Sequence, residues 1–107
     1  MQSHTNQKPY KAFLLNYFMG TIGVKIKIMP ESPEVDMEKL KENIKALVQK
    51  KGGRNREYMI EPVAFGLMSL TAFFEWPEEK AMESLEDSIK KIKNVSSTQV
   101  LDMRRLI

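Results

Sequence analysis

From Ile22 the chain alternates, with Ile22, Val24, Ile26 and Ile28 falling on one side of an extended segment and Gly23, Lys25, Lys27 and Met29 on the other. Period two with β-branched residues on one face predicts a half-buried strand. Pro30-Glu31-Ser32-Pro33 ends it, because a proline has no N–H to give to a central ladder. Asp36 then stands as a helix N-cap. Met37, Leu40, Ile44, Leu47 and Val48 follow at spacings that make one apolar stripe, with Lys39, Glu42, Asn43 and Lys50 opposite. Lys50-Lys51 complements the helix C-terminus, and Gly52-Gly53 supplies the stop.

Residues 54–63 read as a weaker strand, Tyr58 and Ile60 alternating against Met59 and Glu61, that enters a sharp corner at Pro62. Residues 65–76 form the next, with Met68, Leu70, Ala72 and Phe74 on one face and Leu67, Ser69, Thr71 and Phe73 on the other. Pro77 suits a first helical position. Ala81, Met82, Leu85, Ile89 and Ile92 make a second apolar stripe that Asn94 closes. A last strand covers residues 97–105, with Leu101 and Met103 on one side. The order β-α-β-β-α-β predicts an α+β, ferredoxin-like sandwich of four antiparallel strands with both helices on one face. The uncovered face would carry Lys25, Lys27, Leu67, Phe73 and Arg104. Such a fold hosts many functions and names none.

A length of 107 residues, 42% of them hydrophobic, suits one globular core. The absence of cysteine excludes disulfides, cysteine-ligated metals and thiol catalysis, and it suits a reducing cytoplasm. His4, the single histidine, lies in the N-terminal stretch outside the pattern, so histidine base catalysis and histidine-rich metal sites are not expected. Carboxylates sit mostly three or four residues from lysines on helix faces, where ion pairing and solvation are the default. Gly52-Gly53 follows a helix rather than preceding one, unlike a phosphate-binding loop. The eight methionines are read mainly as core gap-fillers, with Met37, Met68, Met82 and Met103 facing inward. A formal charge of +3 falls short of a dedicated nucleic-acid binder. No run approaches the roughly 20 apolar residues that span a bilayer. The aromatic segment from Tyr10 to Phe18 is interrupted by Asn16 and lacks a signal-peptide cleavage pattern. Residues 1–18 are therefore set apart as an N-terminal extension: a segment docked on the domain, a contact with a second copy, or the product of an early start codon. No catalytic site, cofactor or metal is expected.

Two features are not explained by folding alone: Glu61-Pro62-Val63-Ala64-Phe65-Gly66-Leu67, and Asp102-Met103-Arg104-Arg105-Leu106-Ile107 at the end of the last strand. Together with Ile28-Met29-Pro30-Glu31-Ser32-Pro33, in that order and spacing, they make residues 20–107 resemble the archaeal elongation factor 1-beta family. The resemblance implies a guanine-nucleotide exchange domain over residues 19–107, acting in translation elongation in the cytoplasm. Its partner would be elongation factor 1-alpha, GDP-bound or nucleotide-free, met through a protein–protein contact without nucleic acid, membrane or chemistry of its own. Pro62, Val63, Phe65, Gly66, Arg104 and Arg105 are the partner-binding residues so implied. Phe65 matches the aromatic that the related eukaryotic domain inserts between helices of the GTPase. Arg105 aligns with a lysine directed at the GTPase magnesium site, and a one-residue shift would make Arg104 the match. Arginine there is a departure, being planar and bulkier than an ammonium.

Without that resemblance, Phe65 reads as a core or turn residue, and Arg104-Arg105 as a solvated end that blunts a sheet edge. Two other classes share the fold. An RNA-binding domain would need stacking aromatics on the central strands, where the first strand has none and the third offers mainly Phe73. A small-molecule regulatory domain would bind its ligand between subunits, and nothing in the sequence specifically asks for one.

Overall fold

The computed structural model describes residues 20–106, so the expected extension over residues 1–18 lies outside the described residues. Six elements follow in the expected order: β1 (Thr21–Pro30), α1 (Met37–Lys50), β2 (Arg54–Pro62), β3 (Met68–Pro77), α2 (Met82–Lys90) and β4 (Val95–Arg105). The strands form one antiparallel sheet in the order β2-β3-β1-β4, with both helices packed on one face. This is the ferredoxin-like architecture that the two hydrophobic periodicities predict.

The core lies where those periodicities meet. Val24, Ile26 and Ile28 of β1 oppose Phe74, Ala72 and Leu70 of β3, and all six are fully buried. Leu40, Ile44 and Val48 of α1 and Leu85 and Ile89 of α2 close over them. Each such aliphatic side chain contributes about 1.5–3 kcal/mol when fully buried. Trp76 meets Phe74 edge-on, ring centroids 6.4 Å apart, and its Nε1–H donates to the Lys80 carbonyl at 3.1 Å. The indole is thus buried without an orphaned donor. Gly53 is required by close approach, since a Cβ there would stand 2.7 Å from Val48 and 3.1 Å from the Glu75 carbonyl. Tyr58 ties β2 to α1: its hydroxyl donates to Asn55 Oδ1 at 2.5 Å, and Asn55 Nδ2 donates to the Lys45 carbonyl at 3.0 Å. Burial pushes the Tyr58 hydroxyl well above its usual pKa.

Several expectations need correction. β3 starts at Met68 rather than residue 65, because Phe65 and Gly66 both take positive φ and make a turn that a strand cannot contain. Leu67 consequently belongs to that turn and not to the open sheet face. Pro77 ends β3 opposite Thr21 instead of starting a helix; α2 begins at Met82, with Ala81 as its cap. Ile92 lies past the helix end yet still packs against the core, and Asn94 turns the chain at φ 78. β4 begins at Val95, and a register shift between Lys25 and Ile26 leaves Leu101 as an extra residue. Met103 therefore pairs with Val24 on the helix side, while Leu101 turns to the open face. Met103 is 49% exposed, so it fills no gap in the core: β4 is an edge strand that the helices do not cover there.

The helix caps are unequal. Asp36 accepts from Lys39 N–H at 3.1 Å, whereas Ala81 has a similar extended backbone and no side chain that can cap. Asp36→Ala should cost about 1 kcal/mol and Ala81→Ser should gain about 0.5–1 kcal/mol. Urea unfolding of both variants checks this; equal small losses would show that the cap at Asp36 contributes nothing distinct.

Candidate functional site

The connection between β2 and β3 is closed by two hydrogen bonds, Val63 N–H to the Leu67 carbonyl at 2.9 Å and Leu67 N–H to the Ala64 carbonyl at 3.1 Å. The two central residues have φ 58 at Phe65 and φ 76 at Gly66. Positive φ at both is the requirement of a type I′ turn, whose twist matches that of the flanking strands and which favours Asn-Gly. Glycine meets it freely. Phenylalanine does not, because its Cβ crowds the backbone in the left-handed region at a cost of about 1–2 kcal/mol. Its ring recovers none of that cost by burial, being 94% exposed. A large apolar side chain is thus held in an unfavourable backbone state and in water, and no contact within the domain offsets it. Pro62 and Val63 stand exposed on the same hairpin. Pro33 joins them, its Cβ 4.0 Å from where a Cβ on Gly66 would lie. The Pro-Glu-Ser-Pro segment and the Phe-Gly turn, far apart in sequence, are neighbours.

Arg104 and Arg105 are elsewhere. The hairpin leaves the sheet beyond Ile28, whereas Arg104 and Arg105 stand opposite Gly23 and Ile22. Six residue steps separate Ile22 from Ile28, about 20 Å at roughly 3.3 Å each. The structure thus gathers Pro62, Val63, Phe65 and Gly66 at one end of the sheet and holds both arginines at the other. The arginines also diverge from each other, because successive strand residues face opposite ways. Arg104 lies on the open face, 3.5 Å from Asp102, while Arg105 turns to the helix side and pairs with Glu78 at 2.8 Å.

A trough on the open face runs between the two ends. One cavity of about 360 Å³ is lined by Lys25, Glu57, Met59, Phe73, Asp102, Arg104 and Leu106 among others. A second of about 420 Å³ adjoins Pro62 and Val63 and includes Lys27, Gln99 and Leu101; Thr71 belongs to both. Arg56 lies over the Phe73 ring at 5.9 Å and pairs with Glu75, so the aromatic on this face is already covered by a cation. The trough carries both charge signs and an apolar floor, suited to a protein surface. Among the described residues no cluster of three potential metal ligands occurs, and no helix is long and apolar enough to cross a membrane.

Sequence reasoning missed Glu78 and Leu106. Leu106 lies across Gly23, its Cδ2 3.2 Å from where a Cβ would stand. A glycine inside a β-branched strand is the signal that marks such a close approach. Nothing in the sequence marks Glu78, whose partner is set by tertiary placement alone.

Residues 23–106 match the family pattern described as the EF-1 guanine nucleotide exchange domain. The chain is 40% identical over 86 residues to elongation factor 1-beta of Methanococcus maripaludis strain C6, covering 79% of this chain and 97% of that protein. Against elongation factor 1-beta of Methanosarcina acetivorans it is 40% identical over 89 residues, 82% of this chain and all of the relative. Against that of Methanocaldococcus jannaschii it is 41% identical over 86 residues, 79% and 97% of the two chains. Among solved structures, the ACT domain of a GTP pyrophosphokinase from Chlorobium tepidum superposes with TM-score 0.56 at 15% identity, over 76% of this chain and 99% of that one. The C-terminal domain of MgtC from Mycobacterium tuberculosis gives 0.61 at 12%, over 80% and 88%. These two likenesses are of fold alone.

If Phe65 is kept against folding, relieving the turn should stabilise the domain. Phe65→Asn should raise unfolding free energy by about 1 kcal/mol, given the left-handed penalty of a bulky residue. Denaturant unfolding measures it; a loss of stability would mean that the ring supports the hairpin.

Proposed function

Because the chain belongs to the EF-1 guanine nucleotide exchange family, we propose that it releases GDP from elongation factor 1-alpha by gripping that GTPase at both ends of the sheet. Its role is nucleotide exchange in translation elongation. The observation that carries the finer reading is Phe65: almost wholly exposed, and in a backbone state that no fold-internal contact repays. On this reading the ring enters an apolar pocket of the GTPase, with Val63 and Pro62 beside it. Arg105 or Arg104 meets the nucleotide end of the same partner about 20 Å away. The open-face trough that runs from the hairpin to Arg104 lies against the partner's surface. The exchange domain comprises residues 19–107 and works in the cytoplasm with its GTPase, in the GDP-bound and nucleotide-free states.

The physics follows from how the nucleotide is held. A GTPase grips GDP through its phosphates and a bridging Mg²⁺ that neutralises their charge. A guanidinium brought close repels that cation and, as a donor, competes with it for the oxygen atoms that hold it. The Phe65 end supplies binding energy without touching the nucleotide. Exchange is then a linkage effect: a factor that weakens GDP binding is itself weakened by GDP to the same extent. The domain makes and breaks no covalent bond. RNA binding is disfavoured, since the central strands offer one open-face aromatic and Arg56 already covers it.

Release of a fluorescent GDP analogue from the cognate elongation factor 1-alpha at fixed Mg²⁺ tests this. The chain should accelerate release strongly, and deleting residues 1–18 should leave the rate unchanged. Phe65→Ala should cut it more than about tenfold, the scale of a central interface anchor. Arg105→Ala should weaken it as well. Full acceleration by Phe65→Ala would move the contact away from the hairpin, and no acceleration by a folded domain would overturn the proposal.

A further inference from the structure

Arg105 is not a loose terminal cation. Its backbone is fixed opposite Ile22, and the next residue, Leu106, donates its N–H to the Thr21 carbonyl at 2.8 Å. Glu78, on the turn between β3 and α2, donates its own N–H to the Gly20 carbonyl at 3.3 Å. That turn is pinned further by Lys80 N–H to the Pro77 carbonyl at 3.1 Å, by the Trp76 indole, and by Lys80 Nζ on the Lys51 carbonyl at 2.8 Å. Three segments thus converge: the start of β1, the turn after β3 and the end of β4. Between them Glu78 Oε1 accepts from Arg105 Nη2 at 2.8 Å. Gly20, at φ +84, leaves the space for the pair, since a Cβ there would stand 2.8 Å from Glu78 Oε1 and 3.4 Å from Arg105 Nε.

We propose that Glu78 is a positioning residue for Arg105, holding the guanidinium at the end of the sheet with its remaining donors facing outward to the GTPase. This rests on the reading of Arg105 as the cation that meets the nucleotide end of the partner. With side chains 59% and 35% exposed, the pair is too well solvated to matter much for folding. What it restricts is direction. An arginine side chain has many rotamers, and one fixed Nη2 contact leaves most of its five donors free in a defined orientation. Such preorganisation acts on the rate of exchange once the complex has formed, more than on complex formation itself.

The test is release of the fluorescent GDP analogue across a range of exchange-factor concentrations, for a double-mutant cycle. Glu78→Ala should lower the plateau rate about threefold to tenfold, in the range of a direct side-chain coupling, with the half-saturating concentration nearly unchanged. Glu78→Gln, which keeps an acceptor at the same reach, should recover most of the plateau. In an Arg105→Ala background Glu78→Ala should have no further effect. Losses that multiply, an unchanged plateau with Glu78→Ala, or faster release because Glu78 had sequestered the cation would each overturn the proposal. A wild-type rate with Arg105→Ala alone would instead remove the reading on which it rests. Thermal melting of each variant separates these outcomes from loss of fold.

Discussion

Val24, Ile26 and Ile28 of β1 stand directly opposite Phe74, Ala72 and Leu70 of β3, and this buried antiparallel pairing at the middle of the sheet sets where every other part can lie. Because β1 and β3 run in opposite directions, the hairpin that leads into β3 projects from the end where β1 finishes. Because β4 runs antiparallel to β1 on its other side, β4 finishes where β1 starts. The Phe65 turn and the arginines are therefore at opposite poles by topology. No loop movement brings them together without breaking the core pairing, and side-chain reach does not span about 20 Å.

The same pairing divides the two faces. One is sealed by α1 and α2 through aliphatic stripes, and the other is left as a trough with Met59, Phe73 and Leu101 among charged neighbours. The strand alternation that buries Ile22, in part, puts Arg105 on the helix side and Arg104 in the trough. A single substitution at either arginine therefore probes a different surface, even though the residues are adjacent.

The periodicities made the fold legible. Period two in β1 and the apolar stripes of α1 and α2 named the buried residues with few errors, because one-sided burial imposes those patterns on any sequence. What the patterns concealed was local backbone chemistry. Residues 65–67 continue an apolar alternation, yet the hydrogen bonds at Val63 and Leu67 close a turn there. The extra residue Leu101 inverts the alternation of β4 midway, which no count of hydrophobics along that strand reveals. Met103, expected in the core, shows the cost of extending a pattern past the helices that would cover it. At the candidate site, the residues of each end were singled out by their motifs, but their separation is a property of strand order. Glu78 depends on two segments meeting in space and has no sequence signal.

A positively twisted turn occupied by phenylalanine and a terminal arginine held by a carboxylate are two solutions to one problem. A small domain that acts by contact must present few groups in fixed directions, since every rotamer frozen on binding subtracts from affinity. At one pole rigidity comes from a tight hairpin that accepts backbone strain to aim an aromatic ring into solvent. At the other it comes from an ion pair too exposed to stabilise the fold but well placed to orient a cation. The sheet joins them as a strut whose buried pairing does not flex at low cost. A partner held at the Phe65 end thus has its distance to Arg105 determined before the cation arrives. On the proposed exchange function, that fixed distance would couple binding at one pole to the partner's nucleotide end at the other.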